Sequence, residues 1–358
     1  MINITTGNLL KSDAEALVNT VNTVGVMGKG IALQFKKAFP QNYDKYLDAC
    51  KRNEVRVGKM FVTEENYLDG KKIIINFPTK QHWKKKSRLE DIEAGLIALV
   101  QELKLRQISS VAIPPLGCGL GGLPWSDVYN RIVQSFAELP NVDVRLYPPK
   151  GAPETASMPN RTQKPELTHT KVLFLALLDE YTKMLFDNEF TLIETQKLCY
   201  FFQIAGEPLC LRFEKWIYGP YADNLRHVLN QLDGHYISGW GDGANRPLVK
   251  LSLLPEAPKA VEKLLTPSDP SCLRITQVID LVEGFDSPYG LELLGTVHWV
   301  LAKELSPDQV NVKNVYAAIK AWTTRKSKMF QPPHIAVAID RLLSFDWIKL
   351  SLSKEFHP

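Results

Sequence analysis

Along the first 150 residues, short apolar runs alternate with longer stretches whose apolar positions recur every three or four residues. The runs at 1–5, 15–20, 58–63, 72–77, 109–114 and 142–147 predict strands, and the stretches at 29–52, 88–105 and 125–138 predict helices. Alternation of this kind predicts a layered α/β sheet with helices on both faces. In the run Ile73-Ile74-Ile75-Asn76-Phe77, four of five side chains are apolar and Pro78-Thr79-Lys80 closes it. It reads as an interior strand covered on both faces, which places the Lys80 amine at a strand end, where α/β sheets gather ligands. A lysine reaching from a strand end into water is the plainer reading of Lys80 taken alone. Beyond residue 165 the pattern becomes mostly helical, at 166–187, 191–205, 219–232, 256–265, 273–283, 289–304, 311–323 and 335–344. Two β-like pieces, Leu209 to Trp216 and Pro247 to Leu253, interrupt it. Between the two patterns lies a Pro-, Ser-, Thr- and Gly-rich stretch without apolar periodicity, read as a linker over 151–165 that separates a domain at 1–150 from one at 166–358.

Length agrees with two domains, since 358 residues exceed one typical core. Apolar content of 45% and charged content of 23% are those of an ordinary globular protein. The N-terminus lacks a basic-then-apolar leader and no run approaches a membrane span, so the expectation is a cytoplasmic protein with no membrane partner. Five dispersed cysteines without a Cys-x-x-Cys pair argue against a disulfide framework and against structural zinc. The net charge of +4 hides an asymmetry: residues 1–165 carry 23 Lys and Arg against 16 Asp and Glu, a balance of +7, and the remainder 20 against 23, a balance of −3. The first domain therefore suits a polyanion. In the basic run that follows Lys80, His82 and Trp83 stand beside Lys84 and Lys85, the mixture of stacking rings and cations that single-stranded nucleic acid uses. A solvated charged face is the commoner meaning of such a run.

Two glycine-rich segments change the weight given to Lys80. Gly25-Val26-Met27-Gly28-Lys29-Gly30-Ile31 leads into a helix, and Gly117-Cys118-Gly119-Leu120-Gly121-Gly122 follows the apolar strand ending at Ile113. Glycines let backbone N–H groups approach a phosphate, and a helix N-terminus adds its positive dipole end. Neither segment is a Walker loop or a Rossmann fingerprint, and either alone is as readily a tight turn. Together in one α/β domain they indicate a ligand whose pyrophosphate is held between them.

With Gly7-Asn8-Leu9-Leu10, Ala16-Leu17-Val18-Asn19-Thr20-Val21-Asn22, Met27-Gly28-Lys29-Gly30-Ile31-Ala32 and Gly117-Cys118-Gly119-Leu120 in this order, residues 1–148 resemble a macrodomain. The resemblance implies a three-layer α/β/α domain with a mixed sheet, binding ADP-ribose. It is closest to the branch in which a lysine after the apolar strand removes ADP-ribose. Within that branch the chain is similar to antitoxins that take ADP-ribose off thymidine in single-stranded DNA. Carried over, the resemblance gives catalysis to Lys80 and the distal ribose to Asn22. It gives the diphosphate to Gly28, Lys29, Gly30 and Ile31 and to Gly117, Cys118, Gly119, Leu120 and Gly121, the adenine side to Asn8 and Leu9, and further ADP-ribose contacts to Thr20 and Thr79. The DNA strand would run over His82, Trp83, Lys84 and Lys85. No cofactor or metal is implied. Protein-directed enzymes of the branch carry an aspartate where this chain has Gly121, a difference that favours the alternative of a non-catalytic ADP-ribose reader and weighs against the third reading, an esterase acting on modified Glu or Asp. Lys197 to Phe202 and Phe213 to Tyr221, with the core Trp216-Ile217-Tyr218-Gly219-Pro220, resemble the helical Panacea antitoxin fold. Residues 166–358 are thereby expected to bind the cognate ADP-ribosyltransferase toxin, their aromatic side chains forming mainly core.

Overall fold

The alternating pattern of the first half becomes six strands: β1 (Ile2–Ile4), β2 (Ala16–Asn22), β3 (Phe61–Tyr67), β4 (Gly70–Lys80), β5 (Ser110–Ile113) and β6 (Asp143–Leu146). In the computed structural model, which describes residues 1–67 and 70–348, they form one sheet in the order β1-β6-β5-β2-β4-β3. All neighbours are parallel except β3, which runs antiparallel to β4. Strand alternation sends Ile73, Ile75 and Phe77 of β4 to one face, where they pack with α3 (Leu89–Arg106) and α4 (Trp125–Phe136). Ile74 goes to the other face, with Phe35 and Ala38 of α1 (Gly30–Ala38) and Leu17 of β2. Tyr46 and Ala49 of α2 (Pro40–Lys51) cover Val21 on that side. The domain has the expected three α/β/α layers around a mixed sheet.

Several boundaries differ from the sequence expectation. The helix expected over 29–52 is two helices, because Phe39 precedes Pro40 and adopts φ −134°, ψ 69°, and Pro40 opens α2. The strand expected at 58–63 lies at Phe61–Tyr67. β4 does not stop at Phe77: it runs through Pro78 to Lys80. The sheet tolerates the proline because the ladder is irregular there. Val21 pairs with Pro78 and Asn22 with Lys80, leaving Thr79 as an extra residue of β4. On the α2 face a buried polar network joins the strands: Asn19 Nδ2 donates to Asn76 Oδ1 (2.9 Å), Asn76 Nδ2 to Asn42 Oδ1 (2.6 Å) and Thr63 Oγ1 to Asn42 Oδ1 (2.7 Å). By contacts, the first unit comprises Met1–Gln163 and Gly241–Ala244, and the second Lys164–Trp240 and Asn245–Pro358.

The second unit is mostly helical, with α5 (His169–Thr182), α6 (Leu192–Ile204), α7 (Leu225–Leu232), α8 (Glu256–Leu264), α9 (Pro270–Val282), α10 (Pro288–Lys303), α11 (Val312–Trp322), α12 (Thr324–Met329) and α13 (Pro332–Ser344). α5, α6 and α10 are buried on nearly every side, which is why their sequences read as apolar all round. β7 (Glu189–Thr191) leads into α6 through a Thr191/Glu194 capping box. The expectation of a helix from 219 fails. Glu214–Trp216 and Gly219–Tyr221 form a hairpin, β8 and β9, whose Gly219 has φ +90°. Of the β-like piece 209–216 only Glu214–Trp216 is strand. β10 (Ile237–Ser238) and β11 (Lys250–Leu253) pair in a small antiparallel sheet with β7. Tyr200, Phe201 and Phe202 are core as expected, whereas Trp216 and Ile217 are exposed at the hairpin. Among the described residues, no helix is long and apolar enough to cross a membrane.

Candidate functional site

β4 delivers Lys80, and β2 delivers Asn22 beside it in the ladder. The two strand exits are tied by Thr23, whose N–H and hydroxyl both donate to the Gln81 carbonyl, at 3.4 and 2.7 Å. Lys80 is half-buried and its Nζ donates to the Trp83 carbonyl at 3.3 Å. Burial, and secondarily the charge of Lys86, pull its amine below the ordinary lysine range. Acids are absent from the groups that shift it.

The Asn22 amide is engaged in closing the turn after β2. Its Oδ1 accepts from the N–H groups of Val24 and Val26 (3.0 and 3.3 Å), and its Nδ2 donates to the Val26 carbonyl (2.6 Å). Tyr46 donates its hydroxyl to the Asn22 carbonyl at 2.5 Å. Asn22 thus shapes the first glycine loop from inside. Gly25 must be glycine there, since it has φ +80° and an added Cβ would stand 2.7 Å from Leu47. Downstream, the N–H groups of Gly28, Lys29 and Ile31 donate to no acceptor among the described residues, while that of Gly30 is taken. Thr20 is half-buried on β2, and Thr79 is buried with its hydroxyl 3.4 Å from the Val21 carbonyl.

The second loop is two tight turns, closed by Cys118 N–H to Pro115 O, Gly122 N–H to Gly119 O and Leu123 N–H to Gly117 O, each 3.1 Å. The N–H groups of Gly117, Gly119, Leu120 and Gly121 donate to no acceptor among the described residues, the arrangement of an anion nest. Burial pushes the Cys118 thiol up to about 11, so it carries no thiolate at neutral pH. Leu120 is exposed at the tip. Gly121 has no room for any side chain: a Cβ there would meet Gly117 O at 2.2 Å and Ser87 Oγ at 2.4 Å. The aspartate of related enzymes is therefore excluded sterically from this loop as it stands, whereas Gly119 faces open space.

Further from Lys80, Asn8 spends its amide on Leu10 N–H (3.0 Å) and the Ser157 carbonyl (2.9 Å). The Leu9 side chain is core, so only its backbone is available to a ligand. His82 and Trp83 stack with centroids 5.5 Å apart, and Lys84 Nζ lies 5.0 Å from the Trp83 ring centre, forming an exposed shelf that continues into Lys85. Two neighbours were invisible in the sequence. Tyr46 lies 24 positions from its acceptor, and Ser87, 6% exposed with a hydroxyl that has no partner, sits against a loop some thirty positions away. No cluster of three or more metal-ligating side chains occurs among the described residues. Two donor-rich loops, an amine of lowered basicity and a ring-and-lysine shelf can together hold a diphosphate, attack or polarise a carbon beside it, and support a single strand.

The macro domain family matches residues 18–132. A DNA ADP-ribosyl glycohydrolase of Thermus aquaticus is 43% identical over 343 residues, covering 96% of this chain and 93% of that protein. The one of Mycobacterium tuberculosis is 41% identical over 356 residues, covering 96% and 99%. A DNA ADP-ribosyl transferase-DNA ADP-ribosyl glycohydrolase fusion protein of Thermosipho africanus is 39% identical over 163 residues, 41% of this chain and 42% of the fusion. With identity sustained across both units and nearly the full length of two relatives, the chain belongs to the family of DNA ADP-ribosyl glycohydrolases.

Proposed function

We propose that this hydrolase is a DarG-type antitoxin that removes ADP-ribose from thymidine in single-stranded DNA, with Lys80 carrying the reaction. The observation that bears most weight is the Lys80 amine, half-buried, free of any acid and set at the end of β4. A neutral amine is a nucleophile. Its nitrogen attacks the anomeric carbon of the distal ribose, and the bond to the thymine nitrogen breaks with its electron pair leaving on the base, which then takes a proton. Water hydrolyses the lysyl adduct, releasing ADP-ribose and the free amine. The free N–H groups of the two glycine loops fit the diphosphate, and the His82, Trp83, Lys84 and Lys85 shelf fits the strand. An esterase with a loop carboxylate finds no support here, since position 121 admits no Cβ.

Residues 166–358 are assigned to the toxin, a DarT-like ADP-ribosyltransferase. This part has its own core and an acidic balance suited to a basic DNA-binding partner, and one relative fuses a transferase to a glycohydrolase. Two experiments test the reading. Lys80→Ala should lose DNA de-ADP-ribosylation while ADP-ribose affinity by calorimetry stays within about tenfold; full turnover would end the catalytic assignment. Reduction with cyanoborohydride during turnover should add ADP-ribose to Lys80 by mass. Full-length Lys80→Ala should still blunt the toxin in molar excess, and no complex with catalytically dead toxin would remove the second role.

A further inference from the structure

Two oxygens crowd the point where a side chain on Gly121 would begin, the Gly117 carbonyl at 2.2 Å and the Ser87 hydroxyl at 2.4 Å. Gly117 meets the same neighbour, since a Cβ there would lie 3.1 Å from Ser87 Cβ and 3.2 Å from its Oγ. Ser87 thus packs between the two glycines that bound the run of unspent N–H groups in the second loop. Its backbone is committed to that loop as well, with the N–H donating to the Gly121 carbonyl at 3.1 Å. Its hydroxyl is not: the residue is 6% exposed, and the oxygen is buried with no hydrogen-bond partner among the described residues. Buried hydroxyls without a partner are costly and uncommon, so this one has a donor to give. The acceptor beside it is the Gly117 carbonyl, which takes the Leu123 N–H at 3.1 Å and has a second lone pair to offer.

We propose that Ser87 is a positioning residue for the diphosphate: its hydroxyl donates to the Gly117 carbonyl when the second loop draws in on the ligand, and so fixes the loop's N–H groups in their converged arrangement. The inference rests on the assignment of that loop to ADP-ribose above. An array of amides holds an anion only while its N–H groups stay turned to one side, which requires the carbonyls of the same peptides to be held on the other. The Ser87 N–H already holds the Gly121 carbonyl, and the Gly122 N–H holds that of Gly119. A second bond to Gly117 is what the closing loop can gain from a side chain that is buried before the ligand arrives. The idle hydroxyl disfavours the free protein and its bond favours the complex, so the one atom acts with opposite sign in the two states. A serine that only filled space would do neither. Alanine keeps the Cβ and removes the oxygen alone.

The test is Ser87→Ala in the full chain, followed by calorimetry, denaturant unfolding and turnover. The variant should unfold at no lower denaturant than the parent, yet bind ADP-ribose about fivefold more weakly. The same loss should appear with ADP, which carries the diphosphate and lacks the distal ribose assigned to Lys80. On ADP-ribosylated oligonucleotide, KM should rise by the same factor while kcat holds, since the diphosphate is gripped alike before and during the reaction. Unchanged affinity in the folded variant would overturn the proposal. So would a lower unfolding midpoint, which marks a packing role, or an effect confined to kcat. A parent chain that binds neither ADP-ribose nor ADP would instead bring down the loop assignment, and this inference with it.

Discussion

A single methyl group is too large for position 121. Gly121→Ala would force Gly117 and Ser87 away from contacts of 2.2 and 2.4 Å, so the second loop must open and its N–H groups diverge. ADP-ribose affinity should fall at least about tenfold by calorimetry, whereas Gly119→Ala, which meets open space, should bind within a few-fold. Equal affinities in the two variants would refute the nest. The loops and Lys80 were legible in the sequence because each is a local signal, glycines in a row or an amine after an apolar run. Ser87 and Tyr46 were not, since each gains its meaning from a partner distant in the chain. The resemblance assigned Asn22 to the distal ribose, whereas its place as the inner brace of the first loop could not be read from the sequence.

At the scale of elements, packing explains both what was foreseen and what was missed. α3 crosses β4 so closely that a Cβ on Gly95 would stand 2.2 Å from the Phe77 ring. Gly95→Ala should therefore cost about 1–3 kcal/mol in denaturant unfolding, although alanine favours helix. In the second unit, Glu292 on α10 accepts from buried Lys326 (2.7 Å) and, through both oxygens, from Arg325 (2.7 and 3.0 Å). Glu292→Ala leaves the Lys326 ammonium buried without a counter-charge, and the expected loss is about 3–5 kcal/mol by the same measurement. Long periodic helices such as α9, α10 and α13 could be read from spacing, within a few residues. Of the short strands, β8 and β11 fall within the two β-like pieces of the sequence, whereas β9 and β10 could not be read, because their pairing, not their composition, makes them strands. The break at Pro40 is marked in the sequence by the proline, but the apolar period runs on across it from α1 into α2.

For the whole molecule, the charge division and the Pro-rich stretch were visible in composition. By contacts, however, nearly all of that stretch belongs to the first unit, which runs to Gln163, with Ser157 held by Asn8 and Arg161 by Lys37. The grouping of Gly241–Ala244 with the first unit was not visible, since four residues carry no pattern. The second unit carries a buried histidine that makes its stability depend on acid. His298 is fully buried with Nδ1 2.8 Å from the Tyr200 hydroxyl, and burial pulls its pKa from 6.5 to about 4. Between those values the unfolded chain binds a proton that the folded one refuses, so stability is lost as pH falls through this window, by about 3 kcal/mol in total. The fluorescence of Trp347, whose ring packs on Phe201 against His298, should report a falling midpoint there, and His298→Phe should flatten the dependence.

The extra residue Thr79 separates two things that usually coincide, where a side chain stands and which way it is aimed. Deleting Thr79 would let β4 run on without a bulge, and Lys80 would still follow Pro78 opposite Asn22. The address of the amine would be unchanged and its bearing would not, because a bulge redirects the side chains that follow it. A Thr79 deletion that folds and binds ADP-ribose yet turns over nothing would mean that the enzyme is tuned by a count of residues, one more on one strand than on its neighbour.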